Sequence, residues 1–150
     1  MRISRKGIAE LISHEAVILN RYKDSKGVWT IGAGVTDGAG ASIKPSEFMG
    51  QISPCQAYDM LIDLLPRYEG YAQKLLDNSG VNAVLQHEYD ALVSLAWNVG
   101  SVLTFKSKTV TTRKCIAYGD VAGAIDLWRK DAELKSRRDK EVHLARTGEY

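Results

Sequence analysis

The chain of 150 residues is long enough for one compact domain with a hydrophobic core and too short for two ordinary ones. Hydrophobic residues make up 45% of the sequence and charged residues 25%, as in ordinary soluble globular proteins. The net charge of +2 is small and unevenly spread, which could favour an anionic polymer such as a cell wall, but most small domains show comparable unevenness.

No stretch of the sequence has the pattern of a signal peptide or a transmembrane helix, because Glu10 and His14–Glu15 interrupt the one apolar candidate near the N-terminus. Two cysteines, Cys55 and Cys115, permit one disulfide, but their unrelated helical contexts favour two reduced thiols. The three histidines are far apart in sequence, so no metal site is predicted.

The first predicted helix begins after Ser4, which can cap it, and carries Ile8, Leu11 and Ile12 on one face. Glu15 lies four residues after Leu11 and three after Ile12, so it falls on the same apolar face at the helix end. A carboxylate in that setting is expected to be paired with a partner or held protonated for use.

A hairpin is predicted next, because turn residues at 25–27 separate two short β-favouring stretches. Asp24 lies at the mouth of this hairpin, and Thr30 lies on its returning strand. Four glycines follow between residues 32 and 40, and the second of them is Gly34. They predict either a flexible loop or a backbone that approaches a ligand closely.

Two strong helix signals come after the glycines. Residues 53–56 form a capping box with proline at the first helical position, and the helix that follows is expected to bend or stop near Pro66. The stretch Gln86–Asn98 is apolar over much of its circumference, with Leu85 and Tyr89 assigned to its apolar face. This pattern predicts a buried central helix.

Further helices are expected at about residues 107–118, from Asp120 to about residue 130, and from about residue 134 to residue 146. The sequence contains no repeats, low-complexity tracts or linkers. It therefore predicts one α+β domain, with a small antiparallel sheet early in the chain and helices packed around a central one.

Two carboxylates on different elements are what glycosidic bond cleavage needs, because one acid protonates the leaving oxygen and the other handles water or the positive charge on the sugar. Each candidate also has an ordinary structural explanation. Glu15 can be a buried acid paired with an arginine of the last helix, Asp24 a turn residue, and Thr30 a strand residue. The joint spacing of the three residues, with the glycines behind them, favours the catalytic interpretation.

The run Glu15-x8-Asp24-x5-Thr30-Ile-Gly-x-Gly resembles the phage-type lysozymes, the muramidases of glycoside hydrolase family 24. Residues 86–100 are similar to that family's central helix and its Asn-x-Gly end. Residues 105–109 are similar to its phenylalanine-to-threonine loop, and residues 137–150 are similar to its C-terminal signature.

This resemblance implies a lysozyme-like fold, mostly helical, with a single catalytic domain over residues 1–150 whose two lobes flank a cleft. It implies a peptidoglycan hydrolase that cleaves the β-1,4 bond between N-acetylmuramic acid and N-acetylglucosamine, with inversion, for bacterial cell lysis. By the same carry-over Glu15 is the general acid, and Asp24 with Thr30 positions the attacking water. The remaining implied site residues are Gly34, Asn98 and Thr109, which would bind substrate. Arg137, with Arg138 as the second choice, is predicted to pair with Glu15 and hold it in place.

The resemblance implies peptidoglycan as the partner, and it implies no cofactor, no metal, no nucleic acid, no stable membrane insertion and a monomer. It also implies synthesis in the host cytoplasm without a signal peptide and access to periplasmic peptidoglycan after holin-type release. Two alternatives remain at this point. One is a lytic transglycosylase on the same fold, and the other is a non-catalytic wall-binding or virion structural protein.

The sequence departs from the family pattern in three places. Ala16 replaces a glycine that commonly follows the catalytic glutamate, and it should alter only the local backbone. Val35 replaces a common histidine, so any ion pair of that histidine is absent. Glu133–Leu134 replace a Gly-Leu pair before the two arginines, which places the nearby cleft edge in question.

Overall fold

The computed structural model describes residues 1–104, 108–131 and 135–150. They form two compact units. The sheet unit comprises Leu11–Pro66, and the helical unit comprises Met1–Glu10 together with Arg67–Tyr150.

Helix α1 (Arg5–His14) begins where the sequence predicted. Ser4 caps it, because its Oγ accepts a hydrogen bond from the Gly7 amide at 3.0 Å and its carbonyl accepts one from the Ile8 amide at 2.9 Å. The helix ends at His14, so Glu15 lies just beyond its last turn.

The sheet unit contains a three-stranded antiparallel sheet of β1 (Ile18–Lys23), β2 (Trp29–Gly32) and β3 (Val35–Thr36), in that order. The β1–β2 pair is the predicted hairpin. The sequence did not predict β3, because two residues show no alternation pattern.

The first two of the four glycines make the turn into β3. Gly32 and Gly34 have φ angles of +62° and +77°, which lie in the left-handed region that favours glycine. The chain therefore reverses within two residues, and Ile31 comes to lie opposite Val35. Both of these side chains are buried in the core of the sheet unit.

Helix α2 (Pro54–Asn78) begins at the predicted capping box. The Gln56 amide donates to Ser53 Oγ at 3.1 Å, and the Ser53 amide donates to Gln56 Oε1 at 2.8 Å. The helix does not stop at Pro66 but continues through it. Apolar side chains buried before and after the proline, including Leu65 and Leu75, stabilise the helix against the lost backbone hydrogen bond.

Helix α3 (Gln86–Val99) is the buried centre of the helical unit, as predicted, and Leu92 in its middle is fully buried. The assignment of Leu85 to the apolar face was wrong. Leu85 is 61% exposed because it is the N-cap residue, whose amide donates to the Glu88 carboxylate at 2.8 Å.

The last three helices are α4 (Lys108–Ala117), α5 (Val121–Asp126) and α6 (Lys135–Thr147). Asp120 caps α5 by accepting a hydrogen bond from the Gly123 amide at 2.8 Å. Helix α5 is shorter than predicted, and a separate 3-10 turn at Arg129–Asp131 follows it. Helices α5 and α6 pack on α3 and on each other, and α4 packs on α5.

The fold class predicted from the sequence is confirmed: mostly helical, with a small antiparallel sheet near the N-terminus and a buried central helix. Cys55 and Cys115 are both free thiols. Over the described residues, no helix combines the length and apolar character that crossing a membrane would require.

Candidate active site

Glu15 follows α1 directly, and its carboxylate lies against the turn between β2 and β3. The Glu15 amide donates to the Ile12 carbonyl at 3.0 Å, which ties the residue to the end of the helix. A Cβ atom built on Gly34 would lie only 3.1 Å from Glu15 Oε2. A side chain at position 34 would therefore crowd the carboxylate, and the structure brings these two predicted site residues together.

Asp24 follows β1, and the hairpin turn fixes its carboxylate. Asp24 Oδ1 accepts hydrogen bonds from the amides of Lys26 at 2.8 Å and Val28 at 2.9 Å. The Asp24 amide in turn donates to the Val28 carbonyl at 3.0 Å. Among the residues that the structure describes, none donates to Oδ2. One carboxylate oxygen thus holds the turn, and the other can accept a hydrogen bond from a ligand or water.

Thr30 lies in the middle of the sheet and is only 3% exposed. Its hydroxyl donates to the Val28 carbonyl at 3.0 Å. A hydroxyl carries one proton and two lone pairs, so Oγ1 remains an acceptor for any further partner.

The sheet register relates Thr30 to Asp24. Tyr22 pairs with Thr30, and the pairing continued along the hairpin sets Asp24 opposite Val28. Opposite residues share a face, and residues two apart on one strand share a face. The register therefore places Asp24 and Thr30 on the same face of the hairpin as diagonal neighbours.

The other face of the hairpin carries a layer of cations on an aromatic ring. The Arg21 guanidinium lies 4.4 Å and the Lys23 ammonium 5.1 Å from the centroid of the Trp29 ring. Arg21 also donates to the Ser46 carbonyl at 2.7 Å. These contacts stabilise the hairpin from the side opposite Asp24.

Two predicted substrate-binding residues belong to the helical unit. Asn98 lies in the last turn of α3, and its Oδ1 accepts a hydrogen bond from Arg138 Nη2 at 2.7 Å. Thr109 in α4 is 2% exposed, and its hydroxyl donates to the Val102 carbonyl at 3.5 Å. Residues 105–107 of the motif that ends at Thr109 lie outside the described residues, as do Glu133 and Leu134.

Arg137 belongs to a buried ionic cluster that joins α6 to α3. Its Nε donates to Glu141 Oε1 at 3.0 Å, and the Ser94 hydroxyl donates to the same oxygen at 2.6 Å. Arg138 donates to the other oxygen of Glu141. The pairing of Arg137 with Glu15 stays a prediction.

Ser94 is not among the predicted site residues, and the bonds of Arg138 to Glu141, Trp128 and Asn98 were not predicted. Arg137 and Arg138 lie four and three residues before Glu141, and this spacing is the sequence signal for their pairing with it, because residues three or four apart are neighbours on a helix surface. The contacts with α3 depend on the fold and leave no local pattern. Across the described part of the chain, no group of three or more His, Cys, Asp or Glu side chains is placed to hold a metal ion.

Comparison with known proteins adds independent findings. The family model for phage lysozyme matches residues 12–141. The endolysin of Salmonella phage P22 is 31% identical over 151 residues, which cover 97% of this chain and 99% of that endolysin. The structure of an endolysin from Escherichia coli O157:H7 phage FAHEc1 matches with a TM-score of 0.80 and 28% identity, over 100% of this chain and 96% of that one.

A further solved structure, the muramidase domain of SpmX from Asticaccaulis excentricus, shares the fold. It matches with a TM-score of 0.69 and 24% identity, over 97% of this chain and 98% of that one.

Proposed function

The chain belongs to the phage lysozyme family, and from this premise we propose that it cleaves the β-1,4 bond between N-acetylmuramic acid and N-acetylglucosamine with inversion at the anomeric carbon. Family membership supports a peptidoglycan hydrolase. To this we add three proposals: the bond that is cleaved, the stereochemistry of cleavage and a role in bacterial cell lysis.

The observation that carries the proposal is the position of the two acids along β2. Glu15 lies beside the turn that follows this strand, and Asp24 lies opposite the residue that precedes it. Inverting glycosidases hold their two carboxyl groups roughly 6.5–9.5 Å apart, so that a water fits on the far side of the sugar. Glu15 and Asp24 come from different elements that both adjoin β2, so one acid can serve the leaving oxygen while the other serves the water.

Glu15 acts as the general acid in this proposal. Its proton passes to the glycosidic oxygen while the bond from that oxygen to the anomeric carbon breaks, so the leaving sugar departs as a neutral alcohol. Gly34 serves the same step, because its missing side chain leaves room for the carboxyl group.

Asp24 and Thr30 act on the nucleophilic water. Asp24 Oδ2 and Thr30 Oγ1 are both acceptors, since the Thr30 proton is already donated to the Val28 carbonyl. A water that donates one hydrogen to each acceptor directs its lone pair away from both, toward the anomeric carbon. As the new bond to carbon forms, the water's proton moves to Asp24, which is the general base.

The transglycosylase alternative keeps the general acid and omits the water. The turn bonds of Asp24 give this residue a structural reason to be present in either enzyme. Asp24 alone therefore does not decide between the two reactions, and the product does.

Product analysis on purified peptidoglycan tests the proposal. Hydrolysis gives reducing N-acetylmuramic acid ends, and inversion gives them first as the α-anomer, which NMR of a fresh digest detects. Anhydro-muramic ends, lighter by one water in mass spectrometry, would show a transglycosylase instead. Reducing N-acetylglucosamine ends would show that the bond is wrong.

The role of Glu15 is tested with Glu15→Gln, an isosteric change that removes the carboxylic proton. We expect the variant to remain folded and to unfold cooperatively, and to lose all clearing of permeabilised Gram-negative cells. Glu47→Gln, at an exposed glutamate that pairs with Lys44 at 3.5 Å, is the control and should clear cells like the parent. A Glu15→Gln variant that clears cells normally would remove Glu15 from the mechanism.

A further inference from the structure

We propose that Arg138 is a positioning residue that orients the Asn98 amide, so that the NH₂ group of Asn98 donates a hydrogen bond to a carbonyl oxygen of bound peptidoglycan. The inference rests on the proposed function, since it names a substrate contact and its support in the same enzyme.

Arg138 is fully buried and is held in three directions. Its Nε donates to the Trp128 carbonyl at 3.3 Å, and its Nη1 donates to Glu141. Its Nη2 donates to Asn98 Oδ1 at 2.7 Å, so the guanidinium has a fixed plane and a fixed direction toward Asn98. A planar donor held in this way is a rigid reference for any side chain that it contacts.

This contact determines which way the Asn98 amide faces. A guanidinium only donates, so the atom that meets Nη2 must be the amide oxygen. If the Asn98 amide were reversed, its NH₂ group would face Arg138 Nη2, both groups would be donors, and the hydrogen bond would be lost. The Asn98 NH₂ group therefore points away from Arg138, and within the described ranges it donates to no other residue.

An amide NH₂ with a fixed direction selects a hydrogen-bond acceptor. Asn98 is partly exposed at the end of α3, so a ligand can reach it. Peptidoglycan offers carbonyl oxygens from two sources, the acetamido groups of its amino sugars and the amides of its stem peptides. Either source satisfies the same donor.

The variant Asn98→Asp separates this role from a purely structural one. A carboxylate still accepts from Arg138 and strengthens that bond by its charge, but it presents no NH₂ group to a ligand. We expect an unchanged or higher melting temperature. In a Glu15→Gln background, where binding is measured without cleavage, we expect the dissociation constant for purified sacculi to rise about tenfold.

The matched control is Asn82→Asp, which adds the same charge at an exposed asparagine. It should bind sacculi like its Glu15→Gln parent. Sacculi stripped of stem peptides by an amidase then separate the two sources. A loss that persists on stripped glycan identifies an acetamido carbonyl, and a loss seen only on intact sacculi identifies a peptide carbonyl.

The variant Arg138→Lys tests the positioning role itself. Lysine keeps the positive charge near Glu141 but lacks the planar donor that faces Asn98. We expect it to weaken binding, and we expect no further weakening when it is combined with Asn98→Asp, because both changes remove the same donor.

Binding of Asn98→Asp within twofold of its parent on both kinds of sacculi would overturn the inference, and so would binding of a folded Arg138→Lys within twofold of its parent. A parent protein that neither binds nor cleaves sacculi would overturn the proposed function, and this inference would fall with it. The two failures are distinguishable because only the first leaves the parent active.

Discussion

The Glu15 carboxylate and the Gly34 backbone lie so close that a Cβ atom on residue 34 would be 3.1 Å from Glu15 Oε2. Gly34 also has a φ of +77°, in the region that L side chains rarely adopt. This one glycine therefore allows both the turn between β2 and β3 and the position of the proposed general acid.

Gly34→Ala should harm both stability and activity. The left-handed backbone costs a residue with a Cβ about 1–2 kcal/mol, which urea unfolding measures. The new methyl group must also displace the Glu15 carboxylate by a few tenths of an ångström. Because catalysis depends on such positioning, we expect the rate of peptidoglycan cleavage to fall at least about tenfold.

Gly80→Ala is the matched control for this prediction. Gly80 has a φ of +72°, and a Cβ built on it meets nothing within 4 Å. It should lose similar stability and keep its activity at temperatures where both variants are folded. Equal specific activity of the two variants would show that the contact between residue 34 and Glu15 has no catalytic importance.

The elements that were predicted correctly from the sequence depend on interactions between residues close together in the chain. The capping box of Ser53 and Gln56 involves residues three apart, so it is visible in the sequence and is present in the structure. Strand β3 has no such cause, because its two residues are extended only through their pairing with β2. The early end of α5 at Asp126 likewise has no local signal in the sequence.

The candidate site also combines features that are visible in the sequence with features that appear only in the folded chain. The spacing of Glu15, Asp24 and Thr30 is a sequence pattern, and it pointed to a glycosidase before any fold was known. The hydrogen bond from the Thr30 hydroxyl to the Val28 carbonyl depends on the backbone path of the hairpin and could not be predicted from the sequence. The bond from Arg138 to Asn98 joins residues forty positions apart and appears only in the folded chain.

Asp24 combines a structural and a proposed chemical role, and two substitutions separate them. Asp24→Asn keeps an oxygen that accepts from the Lys26 and Val28 amides, so we expect its stability to stay close to that of the parent. It removes the negative charge that accepts the water's proton, so we expect cleavage to fall by roughly 10²-fold or more.

Asp24→Ala removes both the acceptor and the charge. We expect it to lose about 1–2 kcal/mol of unfolding free energy in addition to its activity, because two turn amides lose their partner. Chemical denaturation and product release from dyed sacculi measure the two effects. If Asp24→Asn is active, Asp24 has only its structural role in the turn, and the transglycosylase reaction is favoured.

The predicted support of Glu15 by Arg137 is tested by a double-mutant cycle. Arg137 is 8% exposed and already bonds to Glu141, so its removal alone should be destabilising. If Arg137 also holds Glu15, thermal melts of Glu15→Gln, Arg137→Lys and the double variant should show a coupling of about 0.5–3 kcal/mol. Glu10, which pairs with Lys140 at 3.9 Å, supplies the control cycle through Glu10→Gln. Purely additive losses for Glu15 and Arg137 would show that the pairing does not exist.

Tyr89 should make the folded state sensitive to alkaline pH. Burial, together with the nearby Glu69 charge, raises the pKa of the Tyr89 hydroxyl from 10.0 to about 12. Above pH 10 the unfolded chain releases this proton while the folded chain still holds it. The free energy of unfolding therefore carries the full Tyr89 contribution below pH 10 and loses it between pH 10 and 12, by about 1.4 kcal/mol per pH unit.

Tyr89→Phe removes this titration and sacrifices only a long hydrogen bond of 3.5 Å to the Glu69 carbonyl. Urea unfolding of the parent and the variant from pH 8 to pH 11.5 should therefore give curves that approach each other and then cross, because the parent loses stability faster as the pH rises above 10. Tyr118→Phe, at a tyrosine that is 89% exposed, serves as the control and should stay parallel to the parent. Parallel curves for Tyr89→Phe and the parent would contradict the prediction, since they would mean that the buried hydroxyl ionises equally in both states.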